Sequence, residues 1–186
     1  IGAESSRPGA DPISVDEEKN RLSQVIKHIK HTDKFISIDT YKPEVAEFCL
    51  NNGFNMVNDI SGGRNIKMLE VVSDFNVPIV LMHMKGNPKT MQNDTKYSNI
   101  IEDIKSYFDN QLNLAVKYGI NARNIILDPG IGFGKSIKQN DSIIKNLEEF
   151  KLFNIPILVG LSRKSFLTYQ NNKPENRLES SLATAA

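Results

Sequence analysis

Five residues able to do chemistry stand just beyond five apolar runs. Asp39 follows Phe35–Ile38, Asn58 follows Asn55–Val57, His83 follows Ile79–Met82, Asp128 follows Ile125–Leu127, and Lys164 lies past Ile157–Leu161, after Ser162 and Arg163. Carboxylates accept hydrogen bonds, an amide donates and accepts, an imidazole titrates near neutrality, and an ammonium brings donors and charge. Delivered to one mouth, these groups could hold and orient a polar ligand. Charge beside buried apolar strands is costly unless it is paired or used.

Each residue also has a plainer reading. An Asp after a strand is often a turn former or helix N-cap, and this suits Asp59. A lone His at a strand end, such as His83, is commonly a hydrogen-bonded core residue. His28 and His31 share a charged helix with Lys27 and Lys30, which reads as a solvated face. Cys49 belongs to an apolar helix stripe and reads as core. For all five strand ends to be merely structural is the weaker explanation.

The elements that must position these groups are legible as strands and helices in alternation. The apolar runs are rich in Ile and Val and do not alternate cleanly, the mark of strands buried on both faces of a parallel sheet. Between them, Pro43–Asn51 places Val45, Phe48 and Cys49 on one stripe, and Ile100–Tyr118 does the same with Ile101, Ile104, Phe108, Leu112 and Ala115. Ile143–Phe153 repeats Ile143, Leu147 and Phe150. Pro43 suits a first helical turn, and Gly53 and Gly119 sit where helices stop. The strand starts recur about every 30 residues, so eight units would need roughly 240, near the size of a (β/α)8 barrel. A doubly wound open sheet is the rival architecture. In both, ligands bind beyond the carboxyl ends of the strands.

Composition narrows the classes. The 186 residues carry 23 Lys+Arg against 22 Asp+Glu, a net charge of +1, which gives no electrostatic case for a nucleic-acid or anionic-membrane partner. With 39% hydrophobic and 24% charged residues the chain reads as one folded domain, residues 1–186. One cysteine makes no internal disulfide, and no apolar run approaches the ~20 residues of a membrane span. The sequence opens on Ile1 and closes on Ala186 in a helix-like segment, and we expect it to be an internal piece truncated at both ends. Gly130 to Ser136 imitates a phosphate loop, but Pro129 stands where the P-loop needs its first Gly, and Lys135 where the dinucleotide fingerprint needs its third. Its glycines still imply a tight turn close to a ligand. Asn93 and Asn140 fit the glycosylation pattern without a secretory signal to support their use.

The motifs Glu4-Ser5-Ser6-Arg7-Pro8-Gly9-Ala10, Ile38-Asp39-Thr40, Asn58-Asp59-Ile60-Ser61-Gly62-Gly63, Leu81-Met82-His83-Met84-Lys85-Gly86-Asn87-Pro88, Asp128-Pro129-Gly130-Ile131-Gly132-Phe133-Gly134-Lys135 and Gly160-Leu161-Ser162-Arg163-Lys164-Ser165-Phe166 occur in this order. Together they resemble the dihydropteroate synthases, over essentially the whole chain. The last two motifs are the most specific.

The resemblance implies an eight-stranded TIM barrel, incomplete here, whose strands three to seven the five runs resemble. It implies the joining of 6-hydroxymethyl-7,8-dihydropterin diphosphate to 4-aminobenzoate, with release of diphosphate, in folate biosynthesis. Asp128 is then expected to accept the pterin's donor edge, Asn58 to serve the adjoining edge, Lys164 to donate to the ring oxygen and nitrogen, and Met82 and Phe133 to wall the ring. Asp39 is expected to stabilise a cationic pterin methylene, Ser6 and Arg7 to receive the departing diphosphate, and Pro8, Phe133, Ser162 and Arg163 to border the 4-aminobenzoate pocket. Mg2+ is the implied cofactor, on an Asn upstream of residue 1; an Arg and a His of the last strand are likewise missing. A cytoplasmic homodimer and inhibition by sulfonamides are further expectations. A pterin-binding methyltransferase domain holding methyltetrahydrofolate, a non-catalytic homologue, and a piece unable to close its barrel are the competing readings.

Overall fold

Four of the five apolar runs pair as parallel strands. In the computed structural model, which describes every residue except 8, 30–32, 87–88, 92–94 and 168–172, they are β1 (Ser37–Asp39), β2 (Met56–Asp59), β3 (Ile79–Met82) and β4 (Ile125–Asp128), in the order β1-β2-β3-β4. His31, Pro8, the Asn87-Pro88 pair, Asn93 and the Asn171-Asn172 loop lie outside the described residues. The fifth run adds one bridge, Leu127 to Ile157, with Leu127 N–H donating to Pro156 O at 2.9 Å and Leu158 N–H to Leu127 O at 2.8 Å. It is not the doubly buried strand expected. It lies at the open edge of the sheet, Leu158 is 37% exposed, and Pro156 has no N–H to extend a ladder. The first run is also shorter than expected: Phe35 is 68% exposed, and pairing begins at Ser37.

Six helices are described: α1 (Val15–Ile29), α2 (Pro43–Leu50), α3 (Ile66–Phe75), α4 (Ile100–Lys117), α5 (Ile137–Lys145) and α6 (Leu178–Ala185). α1 buries Glu18, Leu22 and Ile26, one residue per turn. Asn65, Asn99 and Ser136 cap α3, α4 and α5 with side-chain oxygens, and Ser136 forms a reciprocal capping box with Gln139. The helix expected over Ile143–Phe153 is broken. Asn146 leaves the helical region, its amide donates to Ser142 O at 2.7 Å, and the chain continues as a 3-10 helix over Leu147–Phe153.

A sequential strand order, with the fifth run beside β4, builds a barrel wall; a doubly wound sheet reverses direction at its switch point. The packing agrees. Ile38, Val57, Ile79, Leu81, Ile125 and Leu127 point to the helices and join the main core with Leu22, Val45, Leu69, Ile104 and Phe108. Strand side chains alternate between faces, so Asp39, Asn58, Val80, Met82 and Asp128 occupy the opposite, inner face. Ile60, Met82, Met84 and Met91 form a second small cluster with Tyr41 and Phe133 at the strand ends.

Candidate active site

Register places the inner-face groups side by side. Asp39 pairs with Asn58 across β1 and β2, and Met82 with Asp128 across β3 and β4. The Asn58 side chain hydrogen-bonds Asp39, while its own Oδ1 is buried without a partner. An unpartnered buried acceptor at a strand end is a place for a ligand donor. Asp128 accepts Gly130 N–H at 2.7 Å through Oδ1, which leaves its other oxygen to the cup. Burial pushes the Asp128 carboxyl up to about 6, and raises that of Asp39 as well.

Lys164 reaches in from the fifth run's loop and carries the charge that answers both carboxylates. Its ammonium stands 4.3 Å from the centre of the Phe133 ring, in a cation–π arrangement. Burial lowers its pKa, against the attraction of Asp128 and Asp39. The structure thus brings Asp39, Asn58, Asp128, Lys164, Met82 and Phe133 together.

His83 is not part of it. One step past Met82, it turns outward, where it is buried with its ring centroid 5.0 Å from Tyr107 and 5.9 Å from Tyr97. Burial drives its pKa down to about 2, so the ring is neutral. Asp59 also turns outward and accepts the N–H groups of Ser61 and Gly63, both at 2.8 Å, the turn-forming role expected. Cys49 is buried in the core with its thiol pushed up to about 12, and His28 is exposed. Asn140, fully enclosed and bonded to Gly132 N–H and Ser136 O, is unavailable for glycosylation.

The segment 1–14 is tied over β1 by a buried ionic knot. Lys42 Nζ binds Glu4 Oε2, Glu18 Oε2 at 2.7 Å and Ile13 O at 2.7 Å, and Thr40 Oγ1 donates to Glu18 Oε1 at 3.0 Å. This brings Ser6 into a narrow crevice with Asp39 and Thr40. Arg7 is exposed, as are Ser162 and Arg163; Arg163 takes a left-handed φ of 50°, its N–H held by Ser181 Oγ at 2.8 Å. A cavity of about 770 Å³ opens elsewhere, between this segment and the turns after β2 and β3, lined by Ser5, Tyr41, Ile60, Arg64 and Met84. Phe133, Ser162 and Arg163 do not line it, so the pocket expected around those three is not this cavity.

Sequence reasoning missed three supports. Arg64 joins the β2 and β3 turns by donating to Ser61 O, Gly86 O and Met84 O at 2.8–3.1 Å. The Tyr107 hydroxyl abuts Ser61 O and Gly62 O. Lys135 sits under the β4 turn, fully buried. Position in a glycine-rich motif was the only signal for Lys135, and no local pattern marked the other two. Among the described residues no group of three or more His, Cys, Asp and Glu could hold a metal.

The sequence profile of the pterin binding enzymes matches residues 1–186. The chain belongs to the pterin-binding enzyme family. Within this family it is 44% identical to the dihydropteroate synthase of Synechocystis sp. over 94% of its own length and 61% of that protein's. It therefore spans less than two thirds of that relative. The Yersinia pestis dihydropteroate synthase, solved as a sulfonamide drug complex, superposes with a TM-score of 0.95 at 36% identity, covering 100% of this chain and 68% of that one. The Xanthomonas albilineans dihydropteroate synthase, solved with 4-aminobenzoic acid, gives 0.92 at 34% identity, covering 100% and 67%. The architecture of the pterin-binding enzymes is thus that of this chain: a partial TIM barrel, with its helices on the outside.

Proposed function

We propose that the protein containing this chain is a dihydropteroate synthase, joining 6-hydroxymethyl-7,8-dihydropterin diphosphate to 4-aminobenzoate and releasing diphosphate. The observation that carries this reading is the inner-face row Asp39, Asn58 and Asp128, with the Lys164 ammonium answering both carboxylates. A pterin is flat, with donors on one edge and acceptors on another. The free oxygen of Asp128 takes the donor edge, the unpartnered Oδ1 of Asn58 takes a further N–H, and Lys164 donates to the acceptor edge. Met82 and Phe133 supply the apolar walls.

The carbon–oxygen bond to diphosphate breaks ahead of amine attack, leaving a positive pterin methylene to which the 4-aminobenzoate nitrogen then bonds. The leaving oxygen keeps the bonding pair, and the nitrogen then sheds a proton. Asp39 faces the positive charge that develops on the methylene, and electrostatic stabilisation of this kind is worth several kcal/mol in a water-poor site. Ser6 and Arg7, on the segment tied down by Lys42, receive the diphosphate. Ser162 and Arg163 border the aminobenzoate end. The implied Mg2+ would neutralise diphosphate charge.

The 186 residues act in this reading as one pterin-binding unit of a cytoplasmic enzyme, a homodimer when whole, with small-molecule substrates and no nucleic-acid or membrane partner. No helix among the described residues is long and apolar enough to cross a membrane. The test is diphosphate release by the complete gene product. Release that requires both the pterin diphosphate and 4-aminobenzoate supports the assignment; none, or release indifferent to 4-aminobenzoate, rejects it.

A further inference from the structure

Lys135 is the one cation among the described residues sealed beneath the cup, 4% exposed, and the mechanism above does not use it. Its three ammonium protons meet three carbonyls: His83 O at 3.1 Å, Gly130 O at 2.9 Å and Phe133 O at 2.9 Å. An ammonium has three donors and no acceptor, so its hydrogen-bonding capacity is filled. The carbonyls come from two places, the end of β3 and both arms of the turn after β4. That turn is crowded: a Cβ at Gly130, whose φ is 69°, would collide with His83 O. Gly130 N–H also holds Asp128 Oδ1, and Asn140 fixes Gly132 N–H at 2.8 Å. The hydrogen bond on the Asp128 carboxylate and the backbone that carries Phe133 thus belong to a turn that Lys135 stitches to β3.

We propose that Lys135 is a positioning residue that locks the Gly130–Phe133 turn against β3, setting where Asp128 and Phe133 face the cup and placing a buried positive charge beside the Asp128 carboxylate. The pterin-binding part of this rests on the function proposed above.

The charged groups around it are few. Asp128 from β4 and Lys164 from the loop after the fifth run face Lys135, and the His83 ring, neutral, lies at the end of β3. Burial pushes the Lys135 ammonium down to about 7, with Asp128 acting the other way and Lys164 reinforcing the fall. Hydrogen bonds to the charged form favour it, so the three carbonyls side with Asp128. Burial raises Asp128, and Lys164 and Lys135 both pull it back. Removing one of those two cations should raise the Asp128 midpoint further.

The experiment titrates the Asp128 carboxyl by carbon-13 NMR in the complete gene product, as wild type, Lys135→Met and Lys135→Gln. Both substitutions remove the charge; Gln retains donors for the carbonyls, so it serves if the Met variant fails to fold. The expected result is an Asp128 midpoint higher by about one pH unit in either variant. Affinity for 6-hydroxymethylpterin at pH 7, by calorimetry, should then fall about twofold from the smaller ionised fraction of the carboxylate, and further as the turn loosens. Lys135→Arg keeps the charge and should keep the midpoint while losing affinity, because a planar fork does not match three carbonyls arranged around an ammonium. An unchanged midpoint in the neutral variants overturns the proposal, whatever the substrate. A raised midpoint in a protein whose wild type ignores pterins upholds the charge-setting role and removes the functional reading instead.

Discussion

The Lys164 ammonium lies 4.3 Å from the centre of the Phe133 ring. Two motifs about thirty residues apart therefore meet over the inner face, and the lysine stands over an aromatic plane within the attraction of two carboxylates. Lys164→Ala should cut turnover by about 10²–10³-fold, the usual cost of losing a preorganised charged donor. Its thermal midpoint should barely move, since the side chain reaches a partly open cup. A drop in melting temperature large enough to account for the lost turnover would mark Lys164 as a structural ion-pair residue.

Asp128 leads to a pH prediction with two opposite signs. Its carboxyl is pushed up to about 6 by burial, from an ordinary value of 3.8. Pterin binding needs the ionised form, so affinity should climb as pH rises through about 6. Folding responds the other way: a raised carboxyl favours the protonated folded state, so this group's contribution is present below pH 4 and lost as pH passes through about 6. Asp128→Asn should weaken pterin binding by ~1–3 kcal/mol through loss of a charge-assisted hydrogen bond. Calorimetry at pH 5 and pH 7.5 checks both: the variant should show a flat affinity where the wild type shows a slope.

Lys42 knots Glu4, Glu18 and the Ile13 carbonyl, with side chains 12%, 10% and 1% exposed for Lys42, Glu4 and Glu18. Lys42→Met leaves the Glu4 and Glu18 carboxylates without their cation, and should cost about 3–5 kcal/mol of folding free energy. The segment bearing Ser6 and Arg7 should become protease-sensitive before the barrel wall does. Limited proteolysis followed by mass spectrometry reads this directly, and uniform protection of residues 1–14 in the variant would refute the knot's role.

Phe108 packs edge-on against Phe150 and Phe153, both centroids at 5.8 Å, and is fully buried. It connects α4 to the 3-10 helix that replaces the expected long helix. Phe108→Ala should cost about 3–5 kcal/mol, the transfer free energy plus the cavity left behind. Denaturant titration checks this; a loss under about 1 kcal/mol would mean that the two layers collapse into the space.

Much of the architecture was legible. Near-continuous apolar runs announced buried parallel strands because an inner strand touches side chains on both faces, and β3, buried at every position, fits the rule best. The fifth run deceived because edge position does not show in composition: Ile157–Leu161 is as apolar as β3 yet finds a partner on one side only. The helix over Ile143–Phe153 was misjudged for a related reason. Its stripe of Ile143, Leu147 and Phe150 survives a change from α to 3-10, since both bury a residue every three to four positions.

The sequence by itself determined which groups stand at the strand ends, because a turn from strand to helix must fall where apolar residues stop. Tertiary structure decided which way each group points. Asn58 and Asp59 are neighbours, as are Met82 and His83, yet in each pair one faces the cup and the other the helices, by the two-residue alternation of a strand and the register with its neighbours. It also decided that Lys135, one letter in a glycine-rich stretch, would spend all three of its donors on backbone from distant segments. No spacing rule encodes this, since those carbonyls become neighbours only once β3 and β4 lie side by side.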